Sequence, residues 1–453
     1  MMSMTLLGII GLVSLFSLLA LRMPVALSML GVGFVGTVVV NANKFLHLGM
    51  GSEQAWARGW KIAFSNLSGE TFVAASNYNL LVIPMFVLMG NLAGASGLSG
   101  DLFNTAYRWL GHLRGGLASA TIAACAGFAA LSGSSLASAV TMGRVALPEM
   151  KKYKYGDGLA TGSVAAGGTL GFLIPPSAGM IIYAVLTEQS IGRLFMAGII
   201  PGIILTLLFI AAIYVVVARK PELGPPGPKA STRERLVSLR LAVPIIGIVL
   251  VTIGGMYTGF FTPVEASAVG AFLTFVVALL RRSLSWSKMR SVILETLSAT
   301  ATVFLIIVGA HVFIPFLAMT ELPAQIVTFM TSLPIGSLGV ILIIILIYMF
   351  LGMFLEGIAM LVLTIPVVIP IAVGMGWDLV WFGIIIVVVL EMGMISPPVG
   401  INVFVVKSIA PDVSMGTIFR GIWPFWFAMA LLLILLVMFP QIALFLPQTL
   451  VGG

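Results

Sequence analysis

Long apolar stretches separated by short polar connections dominate the sequence. An α-helix needs about 20 consecutive apolar residues to cross a bilayer. Runs of this kind predict helical spans at residues 4–21, 24–40, 78–97, 193–218, 241–260, 263–280, 297–318 and 418–446. The pattern therefore predicts an all-α polytopic membrane protein whose first apolar run is already a span.

Two further apolar segments have a polar or glycine-bearing centre. Segment 116–148 contains two apolar arms around the tip SGSS at 132–135, and segment 338–374 contains two arms around LEG at 355–357. An apolar arm that turns back at a polar tip is typical of a re-entrant helical hairpin. We therefore expect two such hairpins, each with its tip at membrane depth.

Two other apolar segments are interrupted by a pair of prolines. Segment 158–187 contains Pro175 and Pro176, and segment 379–409 contains a second pair at Pro397–Pro398. Proline lacks the amide donor that a helix interior needs. Proline also suits the first position of a helix, so we expect each helix to restart directly after its proline pair. The sequence thus predicts two broken helices.

Interrupted backbone at membrane depth is tolerated only where protein or a water-filled cavity receives its polar groups. The carbonyls that end one half-helix can hold small cations, and the positive N-terminal end of the next half-helix favours an anion. Two hairpin tips and two helix breaks brought together would therefore form a site for cations and an anion. The pattern predicts a transport site.

Basic residues and proline spacing indicate an internal repeat. The connections at 219–240 and 281–290 are rich in Lys and Arg, which predicts that they are cytoplasmic. This orientation places both termini outside and inserts the two hairpins from opposite faces. One constant offset of 222 residues also relates Pro148, Gly171, Pro175 and Pro176 to Pro370, Gly393, Pro397 and Pro398. We expect an inverted-topology repeat.

Composition supports the membrane assignment and excludes other classes. The chain is 60% hydrophobic and 8% charged, with a mean hydropathy of +1.16, which excludes a soluble domain. The net charge of +8 comes from basic residues in short connections, so nucleic acid is not indicated as a partner. Cys125 is the single cysteine and is interpreted as a small buried side chain.

A few ionisable residues lie deep in apolar sequence, where such groups are candidates for function. Glu356 lies at the second tip, where it could cap the turn, orient a cation ligand or reach water; a structural role or one that orients a ligand is favoured. Glu391 is expected to pair with a basic or polar neighbour, and Lys407 and Arg420 are the candidate partners or substrate contacts. Arg144 is expected to extend its side chain to the membrane surface.

Two other functions remain open at this point. The first is a passive channel, which two opposed re-entrant hairpins could also form. The second is a membrane-embedded hydrolase that uses a serine of SGSS, for which His311 is the available base at membrane depth. An isolated histidine is more typical of a packing role.

Several long motifs resemble one known family. The segments YNLLVIPMFVLMG, GHLRGGLA, FAALSGSSLASA, GGTLGFLIPPSAGMIIYAVLTEQSIGRLFMAGIIPG and SPPVGINVFV follow one another in order from Asn77 onward. They resemble the large membrane subunit, or DctM-like component, of tripartite ATP-independent periplasmic (TRAP) transporters. The resemblance implies a secondary transporter of the ion-transporter superfamily in a bacterial or archaeal cytoplasmic (inner) membrane. It implies no enzyme activity.

The resemblance also implies a transport mechanism, partner proteins and coupling ions. An organic anion would be delivered by a soluble extracytoplasmic substrate-binding protein and imported by an elevator motion driven by sodium. A small four-helix membrane subunit is the other implied partner. The coupling ions are expected to be two sodium ions, with no further cofactor.

The family's site residues fall on the two tips and the two proline-containing links. The implied sodium ligands are Ser132, Gly133, Ser134, Ile174, Pro175, Pro176, Glu356, Gly357, Ala359, Ser396, Pro397, Pro398 and Gly400. The implied substrate-binding residues are Ser134, Ser135, Ser177, Gly357 and Asn402. No catalytic residue is implied.

The expected domain organisation follows from the same resemblance. The mobile transport domain is expected to comprise 78–187 and 297–409. The scaffold is expected to comprise 1–77, 193–282 and a C-terminal helix within 410–453. The connection at 41–76 is expected to be a solvated extracytoplasmic loop with a short amphipathic helix.

Overall fold

The computed structural model describes residues 2–449, and every regular element within that range is helical. Two short 3₁₀ helices occur at Tyr78–Leu81 and Pro221–Leu223. The α-helices are α1 Met4–Ala20, α2 Val25–His47, α3 Ser52–Ser76, α4 Val82–Ala95, α5 Leu98–Leu110, α6 Gly116–Ser132, α7 Ser135–Lys152, α8 Asp157–Leu173, α9 Ala178–Thr187, α10 Ile191–Arg219, α11 Thr232–Tyr257, α12 Pro263–Leu280, α13 Trp286–Met319, α14 Leu322–Ser332, α15 Gly336–Gly352, α16 Gly357–Gly374, α17 Leu379–Met394, α18 Ile401–Ile409, α19 Met415–Met438 and α20 Gln441–Gln448.

The predicted membrane spans are present as helices. Among the described residues, nine helical segments are long and apolar enough to cross a membrane, and four shorter apolar helices accompany them. The last predicted span ends earlier than expected, because α19 stops at Met438 and α20 begins after Pro440. The amphipathic helices α5 and α14 lie outside the predicted spans. The predicted all-α membrane fold is confirmed.

The chain divides into two compact units. Unit 1 comprises Met1–Tyr78, Ser298–Ile344 and Leu361–Leu379, and unit 2 comprises Asn79–Leu297, Ile345–Met360 and Val380–Gly453. The two units are defined by the contacts within each of them, whereas the transport and scaffold domains are defined by relative motion. The expected transport and scaffold domains therefore stay a prediction.

In unit 1, glycines allow helices to approach closely. A Cβ on Gly33 of α2 would lie 2.7 Å from the Phe313 Cα of α13, so only a glycine fits there. Gly59 of α3 has the same relation to the Val38 carbonyl of α2, also at 2.7 Å. Nearby, Glu70 of α3 lies 3.3 Å from the Nδ1 of His311.

The structure of residues 41–76 differs from the expected loop with a short helix. Helix α2 continues to His47, and α3 runs for 25 residues from Ser52. Ala55, Gly59 and Ala63 of α3 are buried, with a spacing of four residues that forms one packed face. Small residues on that face allow close contact with α2. Polar residues separate them along the chain, so the sequence does not show an apolar stripe there.

Unit 2 contains both hairpin tips and both helix breaks. The first hairpin consists of α6 and α7, and the second of α15 and the start of α16. The first broken helix consists of α8 and α9, and the second of α17 and α18. Helix α8 and helix α17 are among the most buried elements, since nearly every one of their residues is shielded from solvent.

Neither helix begins directly after its proline pair, which corrects the expectation from the sequence. Helix α9 begins at Ala178 after an N-cap at Ser177, and helix α18 begins at Ile401 after an N-cap at Gly400. Pro175–Pro176 and Pro397–Pro398 lie in the non-helical links before these caps, each joined by a cis peptide bond. The links are therefore longer than a simple proline kink.

Helix α8 crosses α19 at a contact of glycines, which predicts a sharp sensitivity to added volume. A Cβ on Gly421 would overlap the Gly158 carbonyl, whereas a Cβ on Gly416 of the same helix would meet open space. Overpacking typically costs about 1–3 kcal/mol. Gly421→Ala should therefore lower the melting temperature of the purified protein, and Gly416→Ala should leave it unchanged; equal melting temperatures for both variants would contradict this packing.

Candidate functional site

The first hairpin tip is bonded directly to the first helix break. Gly133 ends α6 with a positive φ of 62°, a conformation that favours glycine. Its carbonyl accepts a hydrogen bond from the Ala178 amide at 3.1 Å, at the start of α9. A Cβ on Gly133 would lie 2.8 Å from the Pro176 carbonyl oxygen. The tip and the link therefore form one connected backbone structure.

The second tip and the second break repeat this arrangement. Gly400, with a φ of 61°, caps α18, and its amide donates to the Met353 carbonyl at 3.3 Å in the connection between α15 and α16. The repeat offset of 222 residues relates Ala178 to Gly400. In both halves, then, an amide shortly after the proline pair bonds to the neighbouring hairpin tip.

Glycines in the helices before each break allow the hairpins to approach. A Cβ on Gly171 of α8 would lie 2.5 Å from the Ser134 carbonyl oxygen. A Cβ on Gly393 of α17 would lie 2.7 Å from the Gly352 Cα. Gly171 and Gly393 were paired by the repeat in the sequence, and both serve the same packing role.

The two links contain carbonyl oxygens that the chain itself does not use. In the described range, the carbonyls of Ile174, Pro175 and Pro176 accept no hydrogen bond, and the same holds for the carbonyls of Ser396, Pro397 and Pro398. Backbone oxygens of this kind are ligands for hard cations such as sodium. Each half of the site thus offers one short run of free carbonyls.

The two halves also contact each other. A Cβ on Gly357 at the second tip would lie 3.2 Å from the ring of Phe172, which lies near the end of α8 directly before the first link. The same Cβ would lie 2.7 Å from a methyl group of Leu390 on α17. These contacts place the second tip beside the first break.

Serine hydroxyls stabilise the helix starts at the tip and the links. The Ser134 hydroxyl accepts from the Ala137 amide at 3.4 Å, and Ser177 accepts from Met180 at 3.4 Å. In the second link the Ser396 hydroxyl donates to the Met392 carbonyl at 2.6 Å and accepts from Trp426 Nε1 at 3.0 Å. Trp426 contributes to the site from α19 and was not found by sequence reasoning, because no local motif connects it to the link.

Glu356 caps the second half of its hairpin. Its Oε2 accepts from the Ile358 amide at 3.1 Å and from the Ala359 amide at 3.2 Å, at the start of α16. A carboxylate in this position satisfies amides that have no partner within the helix and interacts favourably with the helix dipole. The structural role favoured from the sequence therefore has a definite geometry.

Asn402, at the start of α18, is the clearest unused polar side chain beside the second link. Its side chain is fully buried, and neither Nδ2 nor Oδ1 has a hydrogen-bond partner in the described part of the chain. Leaving a buried amide unpaired costs on the order of 1–3 kcal/mol. A side chain kept at such a cost is typical of a group that binds a ligand.

Glu391 is expected to have a basic or polar neighbour, and the structure excludes Lys407 as that neighbour. The Lys407 Nζ donates to the carbonyls of Pro411 and Val413 at 2.8 and 2.7 Å. Glu391 is buried, and within residues 2–449 neither of its oxygens has a partner in hydrogen-bond geometry. The polar groups that face it are the Ser135 hydroxyl and the Glu356 carboxylate. Burying a carboxylate costs several kcal/mol unless hydrogen-bond donors or a cation compensate its charge.

The two arginine candidates have exposed side chains. Arg144 and Arg420 are exposed, and the extension of Arg144 to the membrane surface stays a prediction. Arg144 lines a cavity of about 400 Å³ together with Lys151 and Asp412, which form an ion pair at 2.5 Å. This exposed pair contributes little to stability.

Comparison with known proteins decides the family. Residues 12–442 match the model of the family "Tripartite ATP-independent periplasmic transporter, DctM component". The chain belongs to this DctM family. Nearly the whole chain takes part in the match, so the resemblance read from separate motifs is confirmed.

The chain aligns with related transporter proteins over most of its own length and theirs. The chain is 36% identical over 384 residues to the C4-dicarboxylate TRAP transporter large permease protein DctM of Pseudomonas aeruginosa, covering 84% of this chain and 89% of that protein. It is 32% identical to the sialic acid protein SiaM of Vibrio cholerae, over 86% and 92% of the two chains. It is 35% identical to the ectoine protein TeaC of Halomonas elongata, over 81% and 86%.

Solved structures support the fold at lower similarity. The YdaH transporter of Alcanivorax borkumensis has a TM-score of 0.64 at 16% identity, covering 85% of this chain and 89% of that one. The MtrF protein of Neisseria gonorrhoeae has a TM-score of 0.58 at 16% identity, covering 84% of each. The family match and the three relatives, all large permease proteins of TRAP transporters, show that the DctM-family chain is a multi-pass inner-membrane transporter subunit and not an enzyme, which removes the hydrolase alternative.

The contact between Gly133 and Pro176 predicts a specific loss of stability. Gly133→Ala adds both a strained left-handed conformation, about 1–3 kcal/mol, and a clash with the Pro176 carbonyl. Gly97→Ala is the matched control, since Gly97 has a φ of 79° but open space around its Cβ position. Thermal melting should show a larger decrease for Gly133→Ala, and an equal decrease for both would mean that tip and link are not in contact.

The cap at Glu356 predicts different results for two substitutions. Glu356→Gln retains an oxygen that can accept from Ile358 and Ala359, whereas Glu356→Ala removes it and should cost about 0.5–2 kcal/mol. We expect the glutamine variant to melt near the parent and the alanine variant to melt lower. A glutamine variant that melts as low as the alanine variant would show that the charge, and not the cap, stabilises the tip.

Proposed function

We propose that this DctM-family subunit is a sodium-driven secondary transporter that imports a small organic anion by an elevator motion. The proposal rests above all on one arrangement: each hairpin tip is bonded to a proline-containing link whose carbonyls remain free. Two such arrangements occur, and the tip of one half contacts the other half through Gly357 and Phe172. Cations and an anion could therefore bind close together.

The free carbonyls support two sodium sites. The first site would combine Ser132, Gly133 and Ser134 of the first tip with the carbonyls of 174–176. The second would combine Glu356, Gly357 and Ala359 with the carbonyls of 396–398 and Gly400. Sodium bound here would supply the positive charge that the buried Glu391 lacks.

Helix starts support the binding of an anion. Helices α7 and α9 begin after Ser134 and Ser177 in the first half, and α16 and α18 begin at Gly357 and after Gly400 in the second. The N-terminal end of a helix carries a partial positive charge that favours anions. Ser134, Ser135, Ser177, Gly357 and Asn402 would contact the substrate. The unpaired Asn402 amide offers both a donor and an acceptor to it.

The names of the relatives support an organic acid as the substrate class. The proteins from Pseudomonas aeruginosa and Vibrio cholerae are named for C4-dicarboxylates and sialic acid. A tripartite transporter has two further components, which we propose to be a small four-helix membrane subunit and a soluble extracytoplasmic substrate-binding protein. That soluble protein would deliver the anion to the outward-facing site.

An elevator motion would carry the loaded site across the membrane. In this proposal the segments 78–187 and 297–409 slide against a scaffold formed by 193–282 and the terminal helices. Sodium would offset the charge of the substrate during that movement, because an uncompensated charge is costly in a low-dielectric region.

Uptake in proteoliposomes tests the coupling. The complete three-component complex should accumulate the anion when a sodium gradient is imposed, and omission of the substrate-binding protein should abolish uptake. Transport that continued unchanged without sodium and with the proton gradient collapsed would contradict ion coupling. Uptake that never exceeded equilibrium would favour the passive channel.

Asn402 provides a residue-level test of the site. Asn402→Ala should reduce sodium-dependent uptake by at least about tenfold while the variant remains folded, because its amide has no structural partner to lose. Asn41→Ala is the control: Asn41 is also buried but donates to the Thr37 carbonyl at 2.9 Å. The control should retain uptake. Parent-like uptake by Asn402→Ala would remove Asn402 from the site.

A further inference from the structure

Unit 2 carries an apolar groove that the proposed transport site does not involve. The groove lies between α5, α6 and α11 and has a volume of about 420 Å³. Its walls are almost entirely apolar and include an exposed tryptophan at one end; they consist of Leu102, Thr105, Ala106, Trp109, Leu110, Ala123 and Leu239. From Leu102 to Leu110 the groove follows about 12 Å of helix.

Arg235 lies outside the groove lining, next to the end formed by Trp109. Arg235 precedes Leu239 by one turn of α11 and therefore lies on the same face of that helix. Its Nη2 is 3.4 Å from the His112 Nδ1, and its backbone carbonyl accepts from the Trp109 Nε1 at 3.3 Å. The end of the groove therefore combines a cation, an imidazole and an indole.

The charge of Arg235 is not neutralised by its surroundings. Its Nε is buried and has no hydrogen-bond partner among residues 2–449. The neighbouring acid, Glu234, already pairs with Arg108 at 3.4 Å and with the Ser231 amide at 2.7 Å. The protein shields this Nε, so an anionic ligand would reach the Arg235 guanidinium at its Nη atoms, which have no carboxylate partner among the ion pairs of the described residues.

The combination of these two features fits one kind of ligand. A guanidinium binds phosphate oxygens strongly, and an apolar groove of this length accommodates part of an acyl chain. The basic connection at 219–240 is predicted to be cytoplasmic, and tryptophan is frequent at the headgroup level. Basic pockets between membrane helices on that side bind anionic lipid headgroups.

We propose that this groove binds an anionic phospholipid, with the phosphate at Arg235 and an acyl chain along α5. In the proposed elevator motion α5 belongs to the moving segment and α11 to the scaffold, so the lipid would bind across the boundary between them, beside the bond from the Thr105 hydroxyl to the Ser238 carbonyl. The groove shares no residue with the proposed transport site, and its proposed ligand does not depend on which anion is transported.

Lipid binding is tested with the full-length subunit in nanodiscs and in detergent. Retained lipid is counted by native mass spectrometry, and melting temperature is measured in phosphatidylglycerol, in phosphatidylcholine and with inorganic phosphate alone. Arg235→Gln removes the cation, and Ala106→Phe fills the groove without changing charge. Arg233→Gln is the matched control, because Arg233 is exposed and lies on a different face of α11.

The parent should retain phosphatidylglycerol and melt several degrees higher with it than with phosphatidylcholine, and phosphate alone should have no effect. Arg235→Gln and Ala106→Phe should each lose the retained lipid and the shift, while Arg233→Gln keeps both. Equal effects of the two lipids would overturn the proposal. So would equal losses in Arg233→Gln and Arg235→Gln, which would indicate only a diffuse charge effect.

Discussion

Backbone polar groups at membrane depth must find partners within the protein, and this requirement organises unit 2. The hairpin tips and the helix breaks expose amides and carbonyls where lipid offers none. The protein satisfies them by bonding Ala178 to Gly133 in one half and Gly400 to Met353 in the other. Neither a tip nor a break could exist alone at this depth. Each requires the other as its polar environment.

The hydrogen bonds between tips and breaks leave a small set of polar groups without a partner among the described residues. Once the tip bonds are made, the carbonyls of the two links and the amide of Asn402 have no partner within the described chain. These groups are held in place by buried helices and by caps such as Ser177 and Glu356, so binding a ligand does not require the chain to order them first. Unused oxygens beside helix N-termini are the groups through which we propose that cations and an anion bind together.

Much of this arrangement could be predicted because proline and glycine mark interruptions directly. The proline pairs and the glycine tips located both hairpins and both breaks, and their common offset revealed the repeat. Other features depend on distant residues. The side chains around Glu391, the contact of Trp426 with Ser396 and the packing of α3 on α2 arise from tertiary structure. A window of sequence shows the apolar surroundings of Glu391 but not which polar group faces it.

A cryo-EM map of the complete complex in sodium-containing nanodiscs tests the central claim most directly, at a resolution that separates bound ions from solvent. The account predicts two ion densities. One should contact the carbonyls of 174–176 and the first tip, and the other the carbonyls of 396–398 and the second tip. Ions bound elsewhere, or links whose carbonyls face lipid or pair with protein amides, would contradict it.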